Sequence, residues 1–250
     1  MFELRNGDCA IEMQNISDCS VDCIITDPPY GVEFKNDFYD DSESNVLNEM
    51  PKWFEQWYRV LKDDCFLFIF VGVKTIHKWI ECGIKQGFTY KNILATRSFN
   101  NGAVSPENNF GFQFQPILVF TKGKGRKFNK VDFIPTSVEW FNDNRNKDPQ
   151  PFTYQYPNWI ETKWAFATAK NSIKNNHPNE KNTTLISFLI EIATNEKECV
   201  LDSFMGSGTT GESCFDTNRD FIGIELDKHY YEFSKKRISS LLRNSKKRLV

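Results

Sequence analysis

Hydrophobic residues along the 250-residue chain form short apolar runs that alternate with amphipathic segments. Four runs are typical of buried strands, because each is short, rich in branched or aromatic residues and followed by turn-forming residues. These runs are residues 21–26, 65–71, 199–204 and 221–225, and further strand candidates are 2–5, 91–96 and 116–121. The helical period of the apolar positions predicts helices over residues 45–60, 75–85, 183–194 and 230–242.

Strands that alternate with helices predict an α/β fold with a mainly parallel sheet. Ligands of such sheets bind beyond the carboxyl ends of the strands. Two unusual segments stand at such ends: residues 27–30 (DPPY) and residues 202–211 (DSFMGSGTTG). Residues 122–176 interrupt the alternation with mixed polar, basic and aromatic side chains, so we interpret them as an insertion over the ligand edge of the sheet.

The segment 202–211 joins an apolar strand to the polar start of a helix. Glycines at 206 and 208 carry no side chain where the backbone turns sharply, so a ligand can approach the main chain and the amides of the next helix. Glu225, which ends the following strand, can accept hydrogen bonds from a ribose diol. The pattern is more typical of a site for a nucleoside-containing ligand than of a simple tight turn. The absence of a Lys after the glycines disfavours a P-loop, whereas the spacing of Gly211 leaves NAD open.

The segment 27–30 ends the strand 21–26. Its two prolines fix φ and prevent a helix from continuing, so its carbonyl groups point in fixed directions. A carboxylate, a carbonyl and an aromatic ring together suit a planar heterocycle that bears an amino group. Asp27 and the Pro28 carbonyl can accept the amino hydrogens while Tyr30 stacks on the ring. A turn that merely ends the strand is the alternative interpretation.

With these segments the chain resembles a known family, the DNA amino-methyltransferases that modify N6 of adenine or N4 of cytosine. The segments GDC, SVDCIITDPPYG, HPNEK, DSFMGSGTTG and FIGIELD occur in the order of the β class of that family, of the DPPY type. The resemblance implies a Rossmann-like S-adenosylmethionine-dependent methyltransferase fold, with an antiparallel edge strand in a mainly parallel sheet. It implies a catalytic half at 1–121, a target-recognition insertion at 122–176 and a cofactor-binding half at 177–250.

The same resemblance assigns site residues. Asp27, Pro28, Pro29 and Tyr30 are expected to hold the target base. The residues expected at the methyl donor, S-adenosylmethionine, are Asp8, Cys9, Asp27, Lys181, Asp202, Phe204, Gly206, Ser207, Gly208, Thr209, Glu225 and Leu226. Glu225 is the expected ribose ligand, and Asp8 is expected near the adenine of the donor. Ser203 and Asn182 stand where the family often has proline, which weakens the transfer of roles to Asp202 and Lys181.

The resemblance implies transfer of a methyl group to an exocyclic amino group of DNA, and Asp rather than Ser at position 27 favours N6 of adenine. The target amino group is paired in duplex DNA, so the base must be flipped out of the helix. Residues 33–46 are polar and acidic, and we interpret them as either a mobile flap or an ordinary loop. The alternatives are an enzyme for N4 of cytosine or for RNA, a catalytically silent DNA-binding homologue, and a nicotinamide-dependent oxidoreductase.

The net charge of −2 and the pI near 6.0 do not announce a nucleic-acid partner, so any DNA-binding surface must be local. Candidate phosphate contacts lie in the insertion: Lys122, Lys124, Arg126, Lys127, Lys130 and Arg145. A solvated charged face is the alternative interpretation of this cluster. Double-stranded DNA is the expected partner, and a homodimer and a cognate restriction endonuclease are further candidates.

Seven cysteines without a CxxC pair and three histidines favour neither a disulfide framework nor a zinc site, so no metal is expected. The N-terminus lacks the basic and apolar regions of a signal peptide. No apolar run approaches the roughly 18 residues that a membrane span needs. We therefore expect a cytoplasmic protein without a membrane partner.

Overall fold

A computed structural model describes residues 1–32, 39–97, 114–131, 158–161 and 181–248. The strands in this part of the chain are β1 (Phe2–Asn6), β2 (Val21–Thr26), β3 (Leu61–Phe70), β4 (Thr89–Arg97), β5 (Phe114–Thr121), β6 (Trp159–Glu161), β7 (Cys199–Asp202) and β8 (Asp220–Glu225). The α-helices are α1 (Cys9–Glu12), α2 (Glu43–Val60), α3 (Ile76–Gln86), α4 (Thr183–Ala193), α5 (Thr209–Asp216) and α6 (Lys228–Arg248). None of these helices has the combination of length and apolar character that crossing a bilayer requires.

These strands form one sheet in the order β1-β8-β7-β2-β3-β5-β4-β6. In this order, the five strands β1, β8, β7, β2 and β3 are each parallel to their neighbours. The next strand, β5, is antiparallel to both β3 and β4. The expected α/β fold with a mainly parallel sheet is confirmed. The antiparallel strand, however, lies inside the sheet, because β6 pairs with β4 and occupies the edge. β6 comes from the segment 122–176 and was not predicted, since three residues carry too little pattern to reveal a strand.

Both faces of the sheet are covered, which explains why the central strands are continuously apolar. Successive residues of β3 point to opposite faces: Leu67 packs in the core beneath α2 and α3, and Phe68 packs in the core beneath α4. The first core contains buried tryptophans, of which Trp57 and Trp79 are fully inaccessible to solvent. The second is mainly aliphatic. The sheet is therefore a rigid platform held from both sides.

The helix α2 begins earlier than the apolar period predicts, because Ser42 caps it. The Ser42 hydroxyl accepts a hydrogen bond from the Asn45 amide at 3.3 Å, which satisfies an amide that the first helical turn leaves without a partner. The interpretation of residues 33–46 as a flap or an ordinary loop is therefore wrong from Glu43 onward. Residues 33–38 lie outside the described part of the chain.

The parallel topology brings the carboxyl ends of β2, β7 and β8 to the same edge of the sheet. β2 ends at Thr26, β7 at Asp202 and β8 at Glu225. β7 is shorter than the predicted strand 199–204, because the chain turns away directly after Asp202. β5 runs in the opposite direction and therefore begins at this edge, at Phe114. Thr26, Asp202 and Glu225 all line the candidate site.

Candidate active site

A cavity of about 520 Å³ opens at the edge where β2, β7 and β8 end. All four residues predicted to hold the base, Asp27, Pro28, Pro29 and Tyr30, line it. The residues predicted at the donor that also line it are Asp8, Cys9, Lys181, Asp202, Phe204, Gly206, Ser207, Thr209, Glu225 and Leu226. Two motifs from opposite halves of the chain thus meet in a single cavity.

Asp27, Tyr30 and Lys181 form a hydrogen-bonded cluster in this cavity. Lys181 Nζ lies 2.7 Å from Asp27 Oδ2, and the Tyr30 hydroxyl donates to Asp27 Oδ1. Lys181 Nζ also donates to the Tyr30 hydroxyl at 3.2 Å. Both oxygens of the Asp27 carboxylate are therefore engaged. The sequence associated Lys181 with the donor, and the structure places its ammonium group on the carboxylate predicted to hold the base.

The phenol of Tyr30 is held in a neutral, fixed state. Burial, followed by the negative charge of Asp27, raises the pKa of Tyr30 well above its usual range. Gly72, two residues beyond the end of β3, packs closely against Tyr30. A Cβ at position 72 would lie 3.3 Å from Tyr30 Cβ, so the glycine allows the two residues to approach. Lys181 Nζ lies 5.8 Å from the centroid of the Tyr30 ring and 5.1 Å from that of Phe70. A cation is thus held within reach of two aromatic rings and one carboxylate.

Asp41 fixes the backbone that follows the DPPY segment, although no sequence motif marks this residue. Its carboxylate accepts hydrogen bonds from the Gly31 amide at 2.9 Å and from the Val32 amide at 3.3 Å, and its side chain is buried. Gly31 has a φ of 71° and faces Glu43, whose Cα would lie 2.8 Å from an added Cβ. Asp41 is one of several acidic residues in its segment, so only the fold distinguishes it.

The glycine segment and the end of β8 are joined through Glu225. The Glu225 carboxylate accepts hydrogen bonds from the Gly206 amide at 2.8 Å and from the Asp227 amide at 2.9 Å. Burial is the main cause that raises the pKa of Glu225 above its ordinary value. The predicted proximity of Gly206 and Glu225 is therefore observed. The carboxylate lines the cavity, where it can accept hydrogen bonds from a hydroxyl-bearing ligand.

Asp202, at the end of β7, is almost completely buried. Its carboxylate accepts hydrogen bonds from the Thr210 hydroxyl at 2.6 Å and from the Phe204 amide at 3.1 Å. Burial is the largest influence and raises the pKa of Asp202 from 3.8 to about 7. Asp202 therefore shapes the turn that leads to the glycines as well as lining the cavity.

Ser203 connects the two halves of the site. Its hydroxyl lies 2.9 Å from the Thr26 hydroxyl at the end of β2, and it accepts a hydrogen bond from the Trp57 indole at 2.9 Å. All three side chains are buried. A proline, which the family often has here, could not make these contacts. The departure from the family therefore has a structural use in this chain.

Gly208 is not among the residues that line the cavity, and its predicted donor contact stays a prediction. Its φ is 83°, and an added Cβ would lie 2.9 Å from Ser234 Cβ on α6. Gly208 is thus required by the left-handed backbone at the start of α5 and by the close approach of α6. The spacing of the glycines alone could not distinguish this packing role from ligand binding.

The basic cluster predicted to contact DNA lies at the opposite edge of the sheet, because β5 is reversed and ends there. Lys122 is buried and donates to the Leu61 carbonyl at 2.9 Å. Arg126 donates to the Ala193 carbonyl at 2.9 Å and pairs with Glu198 at 2.6 Å. Both cations are therefore held by groups of the protein itself, and their predicted phosphate contacts stay predictions.

The other members of the basic cluster are exposed or lie outside the described residues. Lys124, Lys127 and Lys130 are exposed at the edge remote from the cavity. Their predicted role in DNA binding stays a prediction. Arg145 lies outside the residues that the structure describes.

The comparisons with known proteins agree with this geometry. A family model described as "DNA methylase", of the N6/N4 type, matches residues 21–236. This match spans most of the chain, including both motifs of the cavity. The chain belongs to the DNA methylase family.

Individual relatives of this DNA methylase include the Type II methyltransferase M.HpaI of Haemophilus parainfluenzae, which is 31% identical over 91% of the chain and 71% of the relative. The DNA adenine methyltransferase YhdJ of Escherichia coli (strain K12) is 28% identical over 93% of the chain and 81% of the relative. Among solved structures, the M1.HpyAVI–SAM complex has a TM-score of 0.64 and 26% identity, and the match covers 95% of the chain and all of that structure. S-adenosylmethionine is the methyl donor of the family.

Proposed function

We propose that this DNA methylase transfers a methyl group from S-adenosylmethionine to N6 of adenine in duplex DNA. The observation that carries the proposal is the meeting of Asp27 and Tyr30 with Gly206 and Glu225 in one cavity. This arrangement provides for an amino-bearing base and a nucleoside-containing donor side by side. The similarity to the adenine methyltransferase YhdJ supports adenine as the target.

The residues of the glycine segment and the end of β8, together with Asp8, fit the donor. Glu225 presents a carboxylate that can accept hydrogen bonds from a ribose. The Phe204 ring offers an apolar surface, and it is held edge-on against Trp53 with the ring centroids 5.0 Å apart. Asp8 caps α1 through a hydrogen bond from the Ala10 amide at 2.7 Å. When bound, S-adenosylmethionine supplies a sulfonium-activated methyl group.

The residues from the first half fit an adenine. Its amino nitrogen is a weak nucleophile, because the lone pair is delocalised into the ring. Hydrogen bonds to Asp27 Oδ2 and to the Pro28 carbonyl localise that lone pair and stabilise the positive charge that develops on nitrogen. Tyr30 orients the ring by stacking, and the transfer then depends mainly on alignment. Lys181 Nζ lies 2.7 Å from Oδ2, so the amino group of the base takes the place of that ammonium group.

Recognition of DNA requires the base to be flipped into the cavity. We propose that residues 1–121 and 177–250 form the catalytic and donor-binding halves, and that residues 122–176 contribute target recognition. A homodimer and a cognate restriction endonuclease remain proposed partners, to be tested by light scattering and by assays with the neighbouring gene products. The cytoplasmic location expected from the sequence is part of the same proposal.

The proposal is tested by incubating the purified protein with isotopically labelled donor and mixed-sequence duplex DNA. The DNA is then digested, and its nucleosides are separated by mass. We expect labelled N6-methyladenine with the native chain and none with Asp27→Ala. If N4-methylcytosine were the only labelled nucleoside, the target base would be cytosine and not adenine. DNA binding without any transfer would identify a silent homologue, and a thermal shift with NAD but not with the donor would favour an oxidoreductase.

A further inference from the structure

The hydroxyl of Tyr30 has a hydrogen-bonding arrangement that ring stacking alone does not need. A phenol hydroxyl offers one proton and two lone pairs. Tyr30 gives its proton to Asp27 Oδ1 and accepts hydrogen bonds from Gln115 Nε2 and Lys181 Nζ. All three hydrogen-bonding positions are used. The partners come from three distant parts of the chain, so the arrangement is a product of the fold.

Gln115 is placed for this contact by the reversed strand β5. It is the second residue of that strand, at the edge where β2 ends. It pairs with Thr96 of β4, whose hydroxyl donates to the Gln115 carbonyl at 2.9 Å. The adjacent Pro116 carbonyl accepts a hydrogen bond from the Val71 amide at 3.2 Å. The backbone of Gln115 is thus anchored on both sides, and its side chain is partly buried against Tyr30.

The direction of the hydrogen bond between Gln115 and Tyr30 determines where the hydroxyl proton of Tyr30 points. Because the amide of Gln115 donates to the phenol oxygen, the proton of Tyr30 is left to point at Asp27. The Asp27 carboxylate is then fixed by its Oδ1 atom and presents Oδ2, the oxygen now paired with Lys181. Oδ2 is the oxygen that the target amino group would use.

We propose that Gln115 is a positioning residue of the methyl-transfer site, which acts through the Tyr30 hydroxyl to orient the Asp27 carboxylate. Gln115 itself touches neither base nor donor. Its amide determines which oxygen of Asp27 receives the amino group and limits rotation of the carboxylate. This inference rests on the proposed function and adds to it a role for the hydroxyl of Tyr30 that is separate from stacking.

The inference is tested with Gln115→Leu, which removes the donor, and Gln115→Glu, which keeps the size but replaces the donor with acceptors. Both variants should lower the single-turnover rate of methyl transfer by about 5- to 50-fold, since a hydrogen bond is lost and the resulting misalignment adds to that loss. Donor affinity, measured by calorimetry, should stay within about twofold, because Gln115 does not line the cavity.

Tyr30→Phe supplies the matching half of a double-mutant cycle. If Gln115 acts through the hydroxyl, Gln115→Leu should have little further effect once that hydroxyl is absent. Val119→Ala is the structural control: it lies on the same strand in the core, so it should lower the melting temperature and leave the transfer rate intact at a permissive temperature. Full additivity of the Tyr30 and Gln115 losses, or a native rate for Gln115→Glu, would overturn the inference.

A measurement that does not need activity separates this inference from the proposed function. In protein with isotope-labelled tyrosine rings, the Cζ resonance of Tyr30 is assigned by its disappearance in Tyr30→Phe. Gln115→Leu should move that resonance, because the phenol oxygen loses a hydrogen-bond donor. An unmoved resonance would refute the contact even if the native chain methylates DNA. Conversely, a native chain that transfers no methyl group would refute the proposed function while the resonance still reports on Gln115.

Discussion

Asp27 Oδ2 and Lys181 Nζ lie 2.7 Å apart, although they belong to opposite halves of the chain. Both side chains are mostly shielded from solvent, so this contact is a defined ion pair rather than a surface contact. The ammonium group contacts Oδ2 of the carboxylate and lies near the Tyr30 ring. It therefore occupies the kind of position that we propose for the amino group of a flipped base.

Asp27→Asn should abolish transfer while donor binding persists. The amide keeps the shape of the side chain but removes the negative charge that would stabilise the developing cation. We expect the single-turnover rate to fall by at least about 100-fold. Rapid-quench assays with labelled donor measure this rate, and calorimetry measures donor affinity. A rate within about threefold of the native protein would remove Asp27 from the reaction.

Glu225→Gln should weaken donor binding, because the Glu225 carboxylate is the proposed acceptor for the ribose hydroxyls. Hydrogen bonds to charged groups contribute about 1.5–3 kcal/mol, so affinity should fall by about 10- to 100-fold. Calorimetric titration with S-adenosylmethionine gives the affinity. Glu232→Gln, an exposed change on α6, is the matched control and should bind normally. Equal affinities for both variants would contradict the ribose role.

Asp202 should give the donor-free protein a specific pH dependence. Its folded-state pKa is raised from 3.8 to about 7, chiefly by burial. Across that interval the folded state holds a proton that the unfolded state has lost, so this group makes stability fall as pH rises towards about 7. Asp202→Asn removes the effect.

The measurement for Asp202 is the melting temperature of both proteins between about pH 4 and pH 8. The pKa of some other carboxylates is lowered in the folded state, as that of Glu198 is. The informative quantity is therefore the difference in melting temperature between the two proteins. The melting temperature of Asp202→Asn relative to the native chain should increase with pH. A difference that is constant over this range would refute the raised pKa.

Ser203→Ala should destabilise the protein, because it leaves the Trp57 indole and the Thr26 hydroxyl buried without this partner. We expect a loss of about 1–3 kcal/mol in the free energy of unfolding, measured by urea denaturation. Ser240→Ala removes an exposed serine that donates to the Lys236 carbonyl and should cost less than about 0.5 kcal/mol. Similar losses for the two variants would show that the Ser203 contacts contribute nothing specific.

Arg126→Ala should lower stability rather than DNA affinity. The guanidinium group holds the Ala193 carbonyl and Glu198 together, and truncation leaves those groups without their donor. We expect a lower melting temperature and a DNA dissociation constant within about twofold of the native value. Lys124→Ala, an exposed change in the same segment, controls for charge. A loss of DNA affinity by Arg126→Ala with native stability would support the predicted phosphate contact.

The amino-acid sequence by itself determined the mainly parallel α/β fold and the two motifs of the cavity. These features are local: continuous apolar runs mark strands buried on both faces, and DPPY and the glycine segment follow directly from strand ends. Because parallel strands end at a common edge, the meeting of Tyr30 with Gly206 could be predicted without coordinates. The family resemblance then gave these residues a chemistry.

Only the tertiary structure decided the contacts between residues that are distant in sequence. The reversal of β5 carries Lys122 and Arg126 to the edge remote from the cavity and brings Gln115 to Tyr30. The packing of α6 explains Gly208. None of these facts leaves a periodic or local signal, because a hydrogen bond across the fold depends on strand direction and register. The hydrophobic pattern along the chain therefore specifies the strands and the motifs that follow them. The three-dimensional arrangement specifies which distant side chains orient the residues of those motifs.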